Sequence, residues 1–145
     1  MTLRPWLHES MQDLDPECPT LWDAFRKKHV KASPEEWVRQ DALRRLMLDA
    51  GYPAAAIAIE KGFLVNGLLK RFDIAVYVQG ELWMLIECKA PSIRLNEQVS
   101  DQWMRYNLVT KATWGVLTNG ETWKIFCADG AQGVPKLPAF GTFAL

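Results

Sequence analysis

The stretch KRFDIAVYVQGELWMLIECKAP, residues 70–91, decides the fold of this chain. It predicts two short hydrophobic strands joined by a turn, which is a β-hairpin. An apolar strand would be expected to continue into the core, yet the second strand ends in Glu87, Cys88 and Lys89. Such a break in local consistency is where a functional site is expected. Together with Asp73 on the first strand, these side chains could hold a hard divalent cation beside a phosphate.

The geometry of the hairpin sets a condition on that site. Side chains alternate along each strand, so Glu87 and Lys89 share one face, and cross-strand partners have a constant sum of residue numbers. A plain two-residue turn at Gln79-Gly80 places Asp73 opposite Ile86, on the wrong face for Glu87. A loop with an odd number of residues, or a β-bulge, brings the two acids together. We therefore predict an odd loop or a bulge.

A helix is predicted before the hairpin. Ser33 suits the N-cap, Pro34 the first helical position, and Glu36 completes a capping box with Ser33. Gly51 and Pro53 predict the end of the helix. Its apolar stripe at helical spacing consists of Val38, Ala42, Leu43, Leu46, Met47 and Ala50.

The remaining elements alternate between strands and one further helix. The segment 21–32 is interpreted as a helical or extended lead-in. Strands are predicted at 55–60, 71–78, 81–89, 113–118 and after the Asn119-Gly120 turn, and a second helix at 95–109. The order predicts the α/β class, with a central mixed β-sheet flanked by helices. We expect one domain over residues 1–145, with a core at about 21–127, an irregular N-terminal arm and a loop-like C-terminal tail.

The composition limits the classes of function. The chain has 145 residues, with 17 Lys and Arg against 17 Asp and Glu, so it lacks a strongly basic nucleic-acid footprint. Any DNA contact must use a local patch or a partner. One basic cluster is either a solvated face or a phosphate-contacting arm: Arg26, Lys27, Lys28, His29 and Lys31. The seven Trp residues are packing residues or, for a minority, base-stacking residues.

The cysteines and the apolar runs bear on the compartment. Cys18, Cys88 and Cys127 are widely spaced, without a CxxC pair or zinc-type spacing. This sparse, odd count without a signal peptide is typical of a reducing cytosol, so we expect a cytoplasmic protein. No apolar run approaches the ~18 residues of a membrane span, and we expect no membrane partner.

Each candidate site residue also has an ordinary structural interpretation. Asp73 could pair with Arg71, and Glu87 with Lys89, as simple ion pairs. Taken together, the pattern Asp–x13–Glu–x–Lys on a hairpin is more specific and favours a site. A glycosidase acid pair is the other chemical possibility, but a lysine so close to Glu87 argues against it. Gln102 is either a satisfied core glutamine or a polar tip that reaches the Lys89 pocket.

Several short motifs resemble a known nuclease family. The segments RFD and IECK resemble the core of PD-(D/E)xK nucleases, with Phe72 in the place of the usual proline. The segments SPEEWVRQ, RFDIAVYV, LIECKAP, DQWMRYN and VLTNG resemble, in the same order, the N-terminal nuclease domain of type I restriction enzyme R subunits. The resemblance covers roughly Leu21 to Phe126 and implies a restriction-endonuclease-like core.

The resemblance implies roles for individual residues. Asp73 and Glu87 would ligate Mg²⁺, for which Mn²⁺ can substitute, together with the backbone carbonyl of Cys88. Lys89 would position or activate the attacking water and stabilise charge on the phosphorane. Glu36 would complete the metal site, with Glu35 as its rival. Gln102 and Tyr106 match a QxxxY motif whose side chains line the site and help to orient the scissile strand.

The resemblance implies a Mg²⁺-dependent endonuclease that hydrolyses DNA phosphodiester bonds. In restriction subunits this domain is joined to an ATP-driven translocase. We expect no such motor in this chain, and hence no translocation-coupled restriction of its own. The alternative is a nucleic-acid-binding or assembly module that keeps the nuclease fold without cutting. The expected partners are DNA, other restriction or repair subunits and a second copy of the chain.

Overall fold

A computed structural model describes residues 20–23, 25–128 and 133–143. The predicted α/β class with a mixed sheet is confirmed. Helices α1 (Pro34–Arg44) and α2 (Glu97–Thr110) accompany eight strands: β1 (Thr20–Asp23), β2 (Lys28–Lys31), β3 (Ile57–Val65), β4 (Leu68–Val78), β5 (Glu81–Cys88), β6 (Trp114–Thr118), β7 (Trp123–Cys127) and β8 (Gly133–Val134). Residues 1–19 of the predicted N-terminal arm, with Cys18, lie outside the described residues, whereas Thr20 belongs to β1.

The six strands β3 to β8 form one sheet in chain order, and β1 pairs with β2 in a separate ribbon. Every neighbouring pair in the large sheet is antiparallel except β5 and β6, which are parallel. Parallel neighbours need a crossover connection, and α2 supplies it. The sheet is therefore mixed because one helix returns the chain to the edge of β5.

Two hydrophobic clusters place the helices on opposite faces of the sheet. One contains the α1 stripe with Ile74 and Ile86, and the other contains Trp103 of α2 with Ala75 and Leu85. Neighbouring residues of β4 and β5 thus face opposite layers, as strand geometry requires. Among the described residues, no helix is long and apolar enough to cross a membrane.

Helix α1 begins as the sequence predicts. The Ser33 Oγ accepts a hydrogen bond from the Glu36 backbone N–H at 3.1 Å, and Pro34 occupies the first turn. Four apolar residues of the predicted stripe, Val38, Ala42, Leu43 and Leu46, are almost completely buried. Past α1 the backbone continues as a π-helical turn, Arg45–Asp49. This helical segment ends at Gly51, which has a φ of 70°. The spacing of the apolar residues did not predict this π-helical turn.

The β4–β5 hairpin combines a tight turn with a bulge. The turn is the two-residue pair Gln79-Gly80, with positive φ angles of 51° and 80°. The register slips between Val76 and Tyr77, so that Trp83 of β5 is an extra residue without a ladder partner. The predicted bulge is thus confirmed, although the loop itself has an even number of residues.

The bulge sets which side chains meet farther along the hairpin. Beyond it, Ile74 pairs with Ile86. The same register places the next residues, Asp73 and Glu87, level with each other. An unbulged turn would have placed Asp73 opposite Ile86.

Several boundaries differ from the sequence prediction, and β8 (Gly133–Val134) lies in the tail that was predicted to be loop-like. The strand predicted at 55–60 is β3, which runs to Val65, whereas Ala54–Ala56 form a 3-10 turn. β3 and β4 form a second hairpin around Asn66-Gly67, whose φ angles of 53° and 81° suit this dipeptide. The alternating pattern is missing here because Leu64, Leu68 and Leu69 are exposed. Of the two conformations considered for the segment 21–32, the structure has the extended one, as the β1–β2 ribbon.

Candidate metal centre

Three carboxylates converge at one end of the sheet. One oxygen each from Glu35, Asp73 and Glu87 lies within 4.8 Å of the others. They come from three elements, which are the first turn of α1, the middle of β4 and the end of β5. Carboxylate oxygens are the ligands that Mg²⁺ and other hard cations prefer. The cluster therefore has the ligand chemistry of a divalent cation site.

The backbone holds Asp73 in place. Its Oδ2 accepts a hydrogen bond from the Cys88 N–H at 2.8 Å, and its side chain is buried. The β3–β4 ladder omits the pair formed by Asp73 and Glu60, and Glu60 has a φ of 55°. Phe72 and Ile74, two residues apart, belong to the clusters on opposite faces of the sheet. Local irregularity of the strand, which the sequence pattern did not predict, thus sets the orientation of Asp73.

Glu87 lies at the end of β5 and is 9% exposed. Burial, followed by the charge of Asp73, raises the pKa of Glu87 to about 8, and nearby Lys70 and Lys89 act in the opposite direction. Its Oε2 is buried and makes no hydrogen bond within the described part of the chain. A buried carboxylate oxygen without a donor is costly unless a cation or proton accompanies it. The oxygen therefore fits a missing ligand such as a divalent cation.

Lys89 and Gln102 lie beside Glu87. Both line a small cavity of about 50 Å³, which Glu87 and Lys70 line as well. Gln102 is exposed rather than buried in the helix stripe, and Trp103 is the core residue of that turn. The side chain of Tyr106 lies outside the described residues. The proposed role of the Cys88 carbonyl stays a prediction; its thiol is buried.

The structure separates Glu36 from this cluster. Its Oε1 accepts hydrogen bonds from Arg26 Nη2 at 2.6 Å and from Gln40 Nε2 at 3.1 Å. Its Oε2 lies 3.5 Å from Arg39 Nε. Successive helical residues point about 100° apart, so Glu35 and Glu36 leave α1 in different directions. The acid of α1 whose oxygen approaches Asp73 and Glu87 is Glu35. The choice between Glu35 and Glu36 as the metal ligand stays a prediction, and the geometry favours Glu35.

Sequence reasoning missed Arg39. Its Nη2 donates to Asp73 Oδ1 at 3.1 Å and its Nη1 to Glu60 Oε1 at 3.2 Å. The ion pair of Asp73 in the described residues is thus formed with Arg39, in place of the Arg71 pair considered above. The available signal was that Arg39 follows Glu35 by four residues, which places both on one face of α1.

Arg26 extends the same network to the ribbon. It forms an ion pair with Asp23, binds Glu36, and lies 3.6 Å from Glu60 Oε2. Of the predicted basic cluster, Arg26 is therefore a structural residue. Lys27, Lys28, His29 and Lys31 are exposed.

Comparison with known proteins gives one family. The model of the family described as type I restriction enzyme R protein N terminus matches residues 34–138. This range contains α1, α2 and all six strands of the large sheet, and excludes the β1–β2 ribbon. Among curated proteins, no match to the chain is found.

Proposed function

The chain belongs to the type I restriction enzyme R protein N-terminal family, which supports a nuclease-related function, and we propose that it is a metal-dependent endonuclease acting on DNA. The single observation that carries this proposal is the approach of Glu35, Asp73 and Glu87 to within 4.8 Å of one another. Lys89 and Gln102 line one cavity with Glu87, so one of the acidic ligands and a cationic side chain share it.

We propose Mg²⁺, with Mn²⁺ as a substitute, as the cation that Glu35, Asp73 and Glu87 hold. When bound by these three acids, such a cation would polarise the phosphate and lower the pKa of a bound water. Glu87 must be ionised to bind it, and the positive charges of Lys70 and Lys89 favour that form. The hydrogen bond from the Cys88 N–H holds Asp73 with its carboxylate toward the other acids.

The other side chains would act on the water and the strand. The Lys89 ammonium can donate to the attacking water and to a phosphate oxygen, and it balances the negative charge that grows during attack. Hydrolysis forms one phosphorus–oxygen bond from water, breaks another, and delivers a proton to the departing sugar oxygen. Gln102, at the rim of the cavity, can orient the scissile strand through its amide.

A cleavage assay with single-stranded, duplex and branched DNA tests this function. We expect cutting in Mg²⁺ or Mn²⁺ and none in EDTA. Lys89→Ala and Glu87→Gln should each remove cutting while far-UV circular dichroism stays unchanged. Lys136→Ala is a matched control, because Lys136 is exposed and does not line this cavity. Cutting that survives both site changes would come from a contaminant and would refute the proposal.

A specific observation favours a second function. Arg39 already binds Asp73 Oδ1, so one oxygen of a proposed ligand has a cationic partner without any metal. A family member could use this arrangement to keep the fold as a nucleic-acid-binding or assembly module. DNA binding in the same assays, without cutting under any metal, would support that function. Other restriction or repair subunits and a second copy of the chain are its proposed partners.

A further inference from the structure

The β1–β2 ribbon has one packed face and one open face. In its antiparallel register Leu21 pairs with Val30, and both pack with Trp37 of α1. The opposite face carries the pair Trp22 and His29. Trp22 is 55% exposed, although large aromatic side chains are among those that gain most from burial. Among the described residues, the ribbon therefore presents an aromatic surface on the side away from α1.

The two exposed rings form a preorganised pair. The Trp22 and His29 ring centroids lie 5.2 Å apart with an interplanar angle of 68°, an edge-to-face contact. This contact orients the indole, and more than half of the Trp22 surface stays exposed beside it. A flat base can stack on such a face, whatever its sequence.

The open surface of the ribbon is positively charged. Lys31 shares the Trp22–His29 face and Lys27 lies in the turn of the ribbon, and both are exposed. The one acid of its described residues, Asp23, is buried and paired with Arg26. The net charge of the whole chain is zero, so this local excess of cations is a property of the ribbon. Phosphates are the complementary ligand for lysines that flank an aromatic platform.

The network of Arg26 ties the ribbon to the candidate metal centre. Arg26 binds Glu36 on α1 and approaches Glu60 on β3, and both acids also contact Arg39. Arg39 in turn binds Asp73. A strand held on the ribbon would therefore lie on a surface that a continuous series of ion pairs joins to Asp73.

We propose that the Trp22–His29 face of the ribbon binds an unpaired segment of DNA, with a base stacked on Trp22 and phosphates beside Lys31. This inference rests on the proposed function for the choice of DNA. An intact duplex keeps its base faces inside the stack and offers nothing to Trp22. The substrate class is accordingly DNA with single-stranded or splayed nucleotides near the cut.

Binding of fluorescein-labelled DNA, followed by anisotropy, tests the platform. The experiment uses the full chain carrying Lys89→Ala with Mg²⁺, and compares a single strand with a blunt duplex of the same sequence. Adding Trp22→Ala should weaken single-strand binding about 10-fold and leave duplex binding within about twofold. Trp22→Phe keeps a ring and should retain most of the affinity.

The charge component has its own readout. Lys31→Ala should reduce the slope of log affinity against log salt by about 0.7 for the single strand. Lys136→Ala, an exposed lysine outside the ribbon, should leave that slope unchanged.

The two proposals can fail separately. Equal single-strand affinity of Trp22→Ala and the parent, in a chain that still cuts DNA when Lys89 is intact, overturns the platform alone. Loss of binding together with a fall in melting temperature, shared by Trp22→Ala and Trp22→Phe, shows that the face packs against the protein itself and also overturns it. Ring-dependent binding in a chain that never cuts supports the platform and refutes the nuclease.

Discussion

Arg39 Nη2 lies 3.1 Å from Asp73 Oδ1, and both side chains are buried. The same guanidinium binds Glu60 and lies 3.5 Å from Glu36. Helix α1 thus brings to one corner both a candidate metal ligand, Glu35, and the positive charge that offsets its neighbours. Without that charge, nothing would offset the repulsion between the buried carboxylates or the solvation free energy that they lose on burial.

Arg39→Met should destabilise the metal-free protein by about 3–5 kcal/mol, because removal of one partner leaves buried charges uncompensated. Mg²⁺ should restore part of this loss, since a cation at the carboxylates would take over the neutralisation of Asp73. Urea unfolding in EDTA and in Mg²⁺ measures both effects.

The control for Arg39→Met is Arg44→Met, because Arg44 is exposed on the same helix. Exposed ion pairs contribute at most about 1 kcal/mol, so this change should have little effect. Equal losses for the two variants would show that the buried network contributes nothing specific.

Glu35→Gln and Glu36→Gln should separate metal binding from stability. Glu35 is exposed at the start of α1, and one of its carboxylate oxygens lies close to those of Asp73 and Glu87. Glu35→Gln should therefore weaken Mg²⁺-dependent cutting with little change in unfolding free energy. Glu36 is buried and paired with Arg26, so Glu36→Gln should lower stability by about 1–3 kcal/mol.

Calorimetric titration with Mg²⁺ and urea unfolding check both variants. A loss of Mg²⁺ affinity in Glu36→Gln, with affinity kept in Glu35→Gln, would reverse the assignment of these neighbouring acids.

The sequence predicted those parts of the fold that depend on local patterns. The cap at Ser33 and the apolar stripe of α1 are local, and so is the Asn119-Gly120 turn. The bulge near Trp83 was predictable for a different reason. Shared placement of Asp73 and Glu87 required a shift of one residue in the register, whatever its exact position.

The parts that were missed depend on tertiary contacts. The pairing of Arg39 with Asp73 joins residues 34 positions apart, and no local pattern contains it. Glu36 was preferred over Glu35 because the resemblance fixes an acid in α1 without fixing the face of the helix. The predicted strand at 55–60 was too short because the tip of the β3–β4 hairpin exposes leucines, which mask the usual alternation of apolar and polar residues. The Asn66-Gly67 dipeptide nevertheless carried a usable turn signal.

Mg²⁺ should raise the melting temperature of the native protein, and Asp73→Asn should blunt that effect. A ligand present at ten times its dissociation constant stabilises by about 1.4 kcal/mol, which is roughly 4 °C for a domain of this size. Differential scanning fluorimetry over a Mg²⁺ titration measures the shift.

The comparison variant for Asp73→Asn is Asp101→Asn, since Asp101 is exposed and is not among the three clustered acids. It should keep the full Mg²⁺ shift. An absence of any shift in the native protein at millimolar Mg²⁺ would count against a formed site.

Stability of the metal-free protein should fall as the pH rises from about 5 to 8. Burial and Asp73 raise the folded-state pKa of Glu87 from 4.5 to about 8, so between these values the folded state retains a proton that the unfolded chain has released. The unfolding free energy therefore decreases with pH across this window, by at most about 1.4 kcal/mol per unit for one proton, and the loss is complete above the folded-state pKa.

Urea unfolding at pH 5, 6, 7 and 8 in EDTA tests this dependence. Glu87→Gln cannot titrate and should flatten the profile, and saturating Mg²⁺ should flatten it in the native protein because the cation replaces the proton. The pKa of Glu35 is raised as well, by partial desolvation of its carboxyl group and then by Asp73, although the residue as a whole is exposed. A small slope of the same sign should therefore persist in Glu87→Gln. A native profile that rises with pH, or one that is identical in Glu87→Gln, would mean that Glu87 ionises freely and that its buried oxygen is not held for a cation.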